Sequence, residues 1–355
     1  MAGRVMIMTG GTGGHIFPAL AVAEELRARG CDVRWMGTKR GLEAKLVPPA
    51  GFDIDWVSVS GIRGKGWVSK MLAPLMLMSA CLQSFWILLR RRPQVVLGMG
   101  GFVAGPGALM TWLLRIPLVI HEQNRIPGTT NRFLARIAGN VLEAFPDTFN
   151  SSVRACHTGN PLRAEIVNLA GGERPRHTGP LRVLVLGGSQ GAMILNQVVP
   201  AALANVGDAV EVLHQCGQAM VDKTRRAYVQ AGVDARVLAF IENMAEVYRW
   251  ADIAVCRAGA MTVCELAAAG LPSILIPFPY AIDDHQTENG KFLVDAGAAI
   301  MIPQSEFEAP RLGEALAQFT HNRQRLTAMG QAAGSLAKLD ATQQIAGICL
   351  AEVGR

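Results

Sequence analysis

The 355-residue sequence lacks paired cysteines, is poor in aromatic residues and carries few charges. Its seven cysteines are scattered without a C-x-x-C pair, so neither a zinc knuckle nor a disulfide framework is indicated, and we expect reduced thiols. Aromatic residues make up 6% of the chain, and no basic segment is interleaved with them, which argues against a nucleic-acid partner. Charged residues make up 17% against 50% hydrophobic residues, which indicates a large core and argues against disorder.

The start of the sequence also lacks a long apolar run. The one apolar run before the glycine-rich stretch 10–14 is residues 5–8, which is too short for a signal peptide. We therefore expect a cytoplasmic location.

What the sequence does have is a net charge of +6, with basic residues on both sides of an uncharged stretch at 71–89. This arrangement favours a membrane surface.

A helix as long as the uncharged stretch could just cross a bilayer core. However, the stretch links two predicted strands, 53–59 and 94–97, which we place in one sheet, so crossing is excluded. The remaining alternatives are a crossover helix in the core and an in-plane, reversible attachment. We predict attachment to the anionic cytoplasmic leaflet, with these residues at the surface: Lys70, Leu75, Trp86, Arg90 and Arg91.

Two segments of the chain begin alike. Residues 4–8 are a short apolar run leading into the glycine-rich stretch 10–14, and a helical pattern follows at 19–28. Residues 181–186 are a second such run, leading into the glycine-rich stretch 187–191, and a helical pattern follows at 192–204. Further short apolar runs alternate with helical stretches, at 32–36, 53–59, 94–97, 118–120, 210–214, 237–240, 253–255 and 273–276. Such runs are typical of parallel sheets covered on both faces. The sequence therefore predicts an α/β protein of two Rossmann-like, doubly wound domains facing a central cleft.

The glycine-rich turns do not match a dinucleotide site. The G-x-G-x-x-G pattern from Gly11 requires glycine where Ile16 stands, and from Gly188 it requires glycine where Gln190 stands. The run 32–36 also ends without an acidic residue for the ribose hydroxyls. These turns instead favour phosphate or sugar binding without NAD.

The segment 256–270 is the strongest candidate for a nucleotide diphosphate site. A strand ends near Cys256, small residues follow, and Thr262 is placed to begin a helix whose N–H groups would attract an anion. Glu265 would then lie in the first turn, where its carboxylate can accept ribose hydroxyls. The alternative is an ordinary helix start with Glu265 complementing the dipole.

Other polar residues lie at predicted strand ends. Residues 283–289 could read sugar hydroxyls; the consecutive Asp283, Asp284 and His285 fit one metal ion poorly. The D-x-D at Asp53 and Asp55 lies in an alternating strand, which favours a solvated face. His15 and His121 are candidates for the general base. We choose His15 as the base, because the start of a helix favours the neutral form of its ring. The alternative for His15 is a capping or packing role.

The motifs resemble, in order along the chain, those of the bacterial MurG family of N-acetylglucosaminyltransferases. They lie at residues 10–18, 60–66, 98–106, 121–124, 159–163, 187–192, 240–244, 257–265 and 283–286. The resemblance implies a GT-B fold and an inverting transfer from UDP-N-acetylglucosamine to lipid I in peptidoglycan synthesis, and so a role in cell shape and division. It implies an acceptor and membrane domain at 1–162, a donor domain at 163–339, and a C-terminal helix at 340–355 that packs back on the first domain.

The resemblance also implies the role of each residue. Thr12, Gly13 and Gly14 would line the cleft, and Asn124 would reach the donor sugar. The other donor contacts would be Arg163 and Ser189 to the diphosphate, Ile241 to uracil, Ala260, Met261, Thr262, Val263, Cys264 and Glu265 to phosphate and ribose, and Gln286 to the sugar. Cys264 stands where the family has serine, and Phe102 where it has tyrosine.

The expected partners are UDP-N-acetylglucosamine, lipid I, the anionic membrane leaflet and other cell-wall synthesis proteins, with no cofactor and no metal. Two alternatives stay open. A UDP-N-acetylglucosamine 2-epimerase shares the fold but needs no lipid acceptor, and a non-catalytic nucleotide-sugar sensor or membrane scaffold needs no catalytic residue. The basic, apolar surface disfavours the epimerase, and the many polar motifs disfavour the scaffold.

Overall fold

The computed structural model describes residues 3–59, 67–172, 179–188, 192–204, 206 and 209–354, without the side chains of residues 67–70, 72 and 282. The chain forms two compact units. The first comprises residues 1–163 and 338–355, and the second comprises residues 164–337.

The first unit is built on a seven-stranded sheet in which every pairing is parallel. Its strands are β1 (Arg4–Met8), β2 (Asp32–Gly37), β3 (Ile54–Trp56), β4 (Val95–Gly98), β5 (Leu118–Glu122), β6 (Asn140–Glu143) and β7 (Ala155–His157). They lie in the order β3-β2-β1-β4-β5-β6-β7. The chain thus winds outwards from β1 in one direction and then from β4 in the other, as in a doubly wound fold.

Helices cover both faces of this sheet. They are α1 (Gly13–Ala28), α2 (Glu43–Leu46), α3 (Trp67–Arg91), α4 (Ala104–Leu113), α5 (Thr129–Leu134) and, from the end of the chain, α14 (Ala341–Val353). Alternate residues of β1 point to opposite faces, as strand geometry requires. Val5 and Ile7 pack in the cluster that includes α1 and α14, while Met6 and Met8 pack in the cluster that includes α3 and α4.

The second unit repeats this plan with six parallel strands. These are β8 (Leu181–Leu186), β9 (Val210–Gln215), β10 (Ala235–Leu238), β11 (Ile253–Cys256), β12 (Ser273–Leu275) and β13 (Ala299–Met301), in the order β10-β9-β8-β11-β12-β13. Its helices are α6 (Ala164–Val167), α7 (Met193–Leu203), α8 (Val221–Gln230), α9 (Met244–Trp250), α10 (Ala260–Ala268), α11 (His285–Val294), α12 (Ala309–His321) and α13 (Arg323–Ser335). The prediction of two doubly wound α/β domains is confirmed.

The central strands were predicted more accurately than the edges. β1 and β8 have the predicted bounds, whereas the predicted strand 53–59 is only the edge strand β3. Three strands, β6, β7 and β13, were not predicted. Edge strands such as β7 are short and only partly buried, so they lack the continuous apolar run that marks a central strand.

The helix α3 contains the uncharged stretch and joins β3 to β4 within one sheet, as predicted. Among the described residues, Ala73–Arg91 is the one stretch long and apolar enough to cross a membrane by length and composition. Only 17% of it is buried inside the chain, so most of its apolar surface is not core. Both flanking strands belong to the same sheet, so the two ends of α3 must lie on the same side of a membrane and the helix cannot cross it.

Candidate active site

The predicted site residues lie beyond the carboxyl ends of the strands of their own sheet, where open α/β proteins bind ligands. In the first unit, Thr12–His15 follow β1, Asn124 follows β5 and Arg163 follows β7. In the second unit, Ile241 follows β10, residues 260–265 follow β11 and Gln286 follows β12. Ser189 lies outside the described residues.

The helix α1 begins at Gly13, close to the start expected beside His15 and six residues before the helical pattern at 19–28. Gly11 has a φ of +106°, which glycine adopts without strain, and Thr12 is extended as the N-cap. The first turn contains glycine and histidine instead of periodic apolar residues, so the hydrophobic pattern alone did not reveal it. The first bonds run from the His15 and Ile16 N–H groups to the Thr12 carbonyl, at 3.1 and 3.3 Å. The N–H groups of Gly13 and Gly14 precede these bonds, at a helix N-terminus of the kind that attracts anions.

A buried carboxylate, which sequence reasoning missed, supports this glycine-rich turn. Glu43 is fully buried and accepts hydrogen bonds from the Gly11 N–H at 3.1 Å and from the N–H and hydroxyl of Thr38 at 2.9 and 2.6 Å. A Cβ atom on Gly10 would collide with this carboxylate, which accounts for glycine there. Glu43 lies some thirty residues from the turn, so no local pattern connects the two.

His15 lies in the first turn of α1 and is partly exposed. Its Nδ1 atom is 2.7 Å from Oε1 of Gln123. Gly100 approaches the imidazole closely: it has a φ of +87°, and a Cβ atom there would lie 3.0 Å from His15 Cε1 and Nδ1. The ring is therefore held from two sides. This geometry suits a base that must be oriented before it meets a substrate hydroxyl.

His121, the other candidate base, is fully buried and cannot contact a substrate. Its Nε2 is 3.0 Å from the Gly159 carbonyl oxygen. Burial, the largest cause, lowers the pKa of His121 to about 4; the charge of His15 also lowers it, while the hydrogen bond to Gly159 opposes the shift. His121 is thus neutral at pH 7, and its ring nitrogens contact Gly159 and Gln123 inside the unit.

Asn124 is held by a second buried carboxylate that sequence reasoning missed. Glu122 is 2% exposed and accepts hydrogen bonds from the Asn124 N–H and side-chain amide at 3.0 and 3.3 Å. It also accepts from the Gly128 N–H at 3.0 Å and from the Asn131 amide at 2.9 Å. One carboxylate therefore fixes both ends of the loop that contains Asn124.

Arg163 closes the first unit. Its guanidinium lies 6.0 Å from the centre of the Phe17 ring, within cation–π range, and Phe17 belongs to α1. The contact places a positive charge beside the first turns of α1.

In the second unit, α10 begins at Ala260, with Gly259 as its extended N-cap. The expectation that Thr262 begins the helix is therefore wrong by two residues, because glycine and alanine already allow the turn and the helix to form. The N–H groups of Ala260, Met261 and Thr262 precede the first intrahelical bond, which joins the Val263 N–H to the Gly259 carbonyl at 2.9 Å. The Val263 N–H is thus occupied and its side chain is fully buried.

Glu265 lies in the second turn of α10, not in the first as expected. It is partly exposed, and its Oε2 accepts a hydrogen bond from the hydroxyl of Tyr248 at 2.9 Å. Tyr248 is otherwise buried in α9 and was missed by sequence reasoning. A carboxylate offers about four acceptor positions, so this bond orients Glu265 without preventing contact with ribose hydroxyls. Cys264, next to it, is partly exposed.

The remaining donor-site residues are fixed by backbone contacts. Ile241 is buried, with 5% of the whole residue exposed, and its backbone contact with uracil stays a prediction. Gln286 Oε1 accepts a hydrogen bond from the Phe278 N–H at 3.0 Å. Asp283 and Asp284 both have positive φ, at +53° and +50°, and Asp284 accepts a bond from the Thr287 hydroxyl. Across the described ranges, no group of three His, Cys, Asp or Glu residues is placed to hold a metal ion.

The solvated face expected for the D-x-D pair holds for Asp53 and not for Asp55, whose partner is the partly exposed Arg91. Arg91 donates to both carboxylate oxygens of Asp55, at 2.7 and 2.9 Å. This ion pair, the largest cause, raises the pKa of Arg91. The Asp55 side chain is 14% exposed, whereas that of Asp53 is 80% exposed. Sequence periodicity gave no sign that the end of α3 would lie against β3.

Comparison with known proteins agrees with this architecture. The sequence matches the glycosyltransferase family 28 N-terminal domain over residues 5–143 and the family's C-terminal domain over residues 182–345. It is 59% identical to a Methylococcus capsulatus UDP-N-acetylglucosamine--N-acetylmuramyl-(pentapeptide) pyrophosphoryl-undecaprenol N-acetylglucosamine transferase, with 100% of both chains covered.

Solved structures give the same result. The crystal structure of Acinetobacter baumannii MurG is 40% identical, with a TM-score of 0.87 and 98% of this chain and 99% of that chain covered. A UDP-N-acetylglucosamine 2-epimerase structure has a TM-score of 0.67, covering 100% of this chain and 97% of that chain. At 13% identity, that likeness concerns the fold alone. Both domain matches and the full-length relative lead to one conclusion: the chain belongs to glycosyltransferase family 28.

Proposed function

We propose that the chain transfers N-acetylglucosamine from UDP-N-acetylglucosamine to the C4 hydroxyl of undecaprenyl-diphospho-N-acetylmuramoyl-pentapeptide, which converts lipid I to lipid II for cell-wall synthesis. The names of its full-length relatives supply the substrates. The observation that carries the mechanism is the partly exposed His15, oriented by Gln123 in the first turn of α1.

The reaction is a single displacement with inversion. The acceptor oxygen forms a bond to C1 of the donor sugar while the bond from C1 to the diphosphate oxygen breaks and UDP leaves. The acceptor hydroxyl gives its proton to His15 Nε2, because Nδ1 faces Gln123. Negative charge grows on the departing diphosphate, and the first N–H groups of α10 are oriented to stabilise it.

The start of α10 also suits the donor before reaction. Its N–H groups match a diphosphate, and the carboxylate of Glu265 matches the two hydroxyls of a ribose. Arg163 remains a predicted diphosphate ligand, and Asn124 and Gln286 remain predicted ligands of the sugar.

Incubation of the protein with UDP-N-acetylglucosamine and a lipid I analogue tests this function. We expect UDP release that requires both substrates, together with a lipid product carrying the added sugar. An epimerase would instead produce UDP-N-acetylmannosamine from the donor alone. A binding scaffold would retain the donor without releasing UDP.

We also propose that the enzyme attaches to the cytoplasmic face of the inner membrane through α3 and α4. Residues on one face of α3 are apolar and exposed, and we call them the α3 stripe: Met71, Leu75, Met78, Leu82, Trp86 and Leu89. They follow one another at intervals of three or four residues, the spacing of one helical face. The opposite side packs in the core through Ala80, Ser84 and Leu88, which are buried.

The apolar surface continues beyond α3. α4 packs beside α3 and exposes Leu109, Trp112 and Leu113. Arg90 at the end of α3 is exposed, as is Arg136, whose guanidinium lies 5.8 Å from the exposed Phe133 ring. Apolar side chains bordered by arginines suit the boundary between acyl chains and anionic headgroups. The side chain of Lys70, also predicted there, lies outside the described part of the chain.

Sedimentation with anionic liposomes tests the attachment. We expect the double variant Arg90→Glu, Arg136→Glu to lose about 1 kcal/mol of binding free energy for each arginine removed. The matched control is Lys223→Glu, Arg226→Glu on α8, which reverses two exposed charges in the second unit. Arg91 is left unchanged, because its reversal would break the ion pair with Asp55. Equal sedimentation of wild type and the Arg90, Arg136 variant would place the docking surface elsewhere.

A further inference from the structure

A chain of hydrogen bonds runs from the interior of the first unit to His15. It begins at the Gly159 carbonyl, passes through His121 and Gln123, and ends at Nδ1 of His15. The three successive distances are 3.0, 3.1 and 2.7 Å. We call this set the tautomer relay. Both of its middle members are buried, with Gln123 at 1% exposure.

The direction of each bond follows from what each group can donate. The Gly159 carbonyl only accepts, so His121 Nε2 carries a hydrogen. His121 is neutral at pH 7, because burial lowers its pKa to about 4, so its Nδ1 carries a lone pair. That nitrogen therefore accepts from the amide NH₂ of Gln123.

A second contact fixes the amide of Gln123 independently of either histidine. Gln123 Nε2 lies 3.2 Å from the Met99 carbonyl oxygen, which can only accept. The NH₂ group thus faces Met99 and His121, and Oε1 faces His15. An amide oxygen accepts, so the neutral His15 ring must carry its hydrogen on Nδ1. The lone pair then resides on Nε2.

We propose that Gln123 and His121 are positioning residues that fix the neutral His15 ring as the Nδ1–H tautomer and thereby make Nε2 the basic nitrogen. Neither side chain needs to touch substrate. The catalytic purpose of the relay rests on the proposed function. The position of the His15 hydrogen does not, because it is a property of the protein without substrate.

A parallel arrangement in the second unit provides an internal control. His214 is fully buried, with Nε2 3.0 Å from Asn196 Oδ1 and Nδ1 2.9 Å from the Tyr228 hydroxyl. The Asn196 NH₂ donates to the Cys216 carbonyl, so its oxygen faces the ring and His214 carries its hydrogen on Nε2. The two histidines should therefore show opposite tautomers in one spectrum.

The test is ¹⁵N NMR of the full chain labelled at histidine nitrogens, at a pH of about 8, above the ordinary histidine pKa of about 6.5. The His15→Ala spectrum assigns the His15 signals. We expect Nδ1–H for His15 and Nε2–H for His214 in the wild type. Gln123→Met keeps a similar side-chain length but removes both polar groups. We expect it to change the tautomer of His15 and not that of His214.

Activity gives the second readout. Removal of an outer partner that orients a functional histidine costs roughly 10–100-fold in activity, so we expect Gln123→Met to lower turnover by that factor. The donor dissociation constant should stay the same. A merely structural role would weaken donor binding or folding together with turnover.

Several outcomes overturn the proposal. A wild-type His15 protonated on Nε2 contradicts the relay without need of any variant, even if Gln123→Met fails to fold. An unchanged His15 tautomer in Gln123→Met does the same. If the tautomer changes but turnover does not, the positioning role is excluded. Failure of the proposed function is distinguishable, because it would appear as absent UDP release or an active His15→Ala, whatever the spectrum shows.

Discussion

The two units have the same winding but equip the ends of their strands differently. In the first, buried polar side chains hold exposed ones in place: Glu43 supports the glycine-rich turn, Glu122 holds Asn124, and Gln123 orients His15. In the second, the main features are the backbone N–H groups at the start of α10 and one carboxylate, Glu265, held by Tyr248.

This difference suits the two tasks proposed for the units. A base must present one nitrogen in one orientation, which requires fixed side chains around it. A diphosphate needs several donors and a favourable field, which a helix N-terminus supplies without further machinery. Substitution of His15 or of the residues that orient it should therefore affect turnover, and substitution of Glu265 should affect donor binding.

The largest expected effect is on turnover in the first unit. His15→Ala should lower it by roughly 10²–10⁴-fold, the usual contribution of a general base. Donor affinity should change little, since the donor contacts of α10 remain. The measurement is steady-state UDP release alongside calorimetric donor binding. A decrease of less than tenfold would show that His15 is structural and that the division between the units does not hold at this residue.

Acid should weaken both units, through one buried histidine in each. Burial lowers the pKa of His121 to about 4 and that of His214 to about 3. The folded state thus binds fewer protons than the unfolded one, so this stability is complete above pH 6.5 and is lost as the pH falls towards those values. For His121, the difference between the folded and unfolded pKa corresponds to a loss of the order of 3 kcal/mol in the free energy of unfolding.

Hydrogen exchange of β5 and β9 amides between pH 7.5 and 5 measures each unit separately, once corrected for the intrinsic pH dependence of exchange. His121→Gln should reduce the acid sensitivity of β5 alone, with a remainder from His157, whose pKa is also lowered by burial. His214→Gln should remove the acid sensitivity of β9 alone. Protection that does not vary with pH in the wild type would mean that both rings accept protons within the fold.

Donor affinity should depend on Glu265. Glu265→Ala should weaken UDP-N-acetylglucosamine binding by about 1.5–3 kcal/mol, the contribution of hydrogen bonds to a charged group. Turnover at saturating donor should be affected less. Isothermal titration with donor and with UDP checks this. An unchanged dissociation constant would remove Glu265 from the ribose site.

The smallest effect is expected where a residue acts through Glu265. Tyr248→Phe removes only the hydroxyl that donates to Oε2, so donor affinity should fall by about 0.5–1.5 kcal/mol, the net contribution of one hydrogen bond. In the Glu265→Ala background the same change should have no further effect on donor binding. Additive losses in this double-mutant cycle would show that Tyr248 contributes independently of the carboxylate.

The sequence was sufficient for the parts of the fold that are governed by local pattern. Central strands such as β1 and β8 are continuous apolar runs, and their bounds were predicted correctly. The turn that contains His15 was located by its glycines. The start of α10 was misplaced by two residues, because small residues at 258–260 are compatible with either a turn or a helix.

The supporting residues could not be predicted, because they are distant in sequence from what they support. Glu43 meets Gly11, Gln123 meets His15, and Arg91 meets Asp55 only after the strands have been assembled. Each has an ordinary local context: a short helix, a strand end and a basic cluster. Only the register of the sheet gives them their partners.

The path of the chain through the first unit also determines when that unit can be completed. The chain leaves it at residue 163 and returns only at 338, and the returning helix α14 buries Ile345, Ala346 and Cys349 in the same cluster as Val5 and Ile7. A ribosome therefore synthesises the whole second unit, whose residues are contiguous, before the last part of the first core. Domains usually fold in order of synthesis; here the half that begins the chain finishes last.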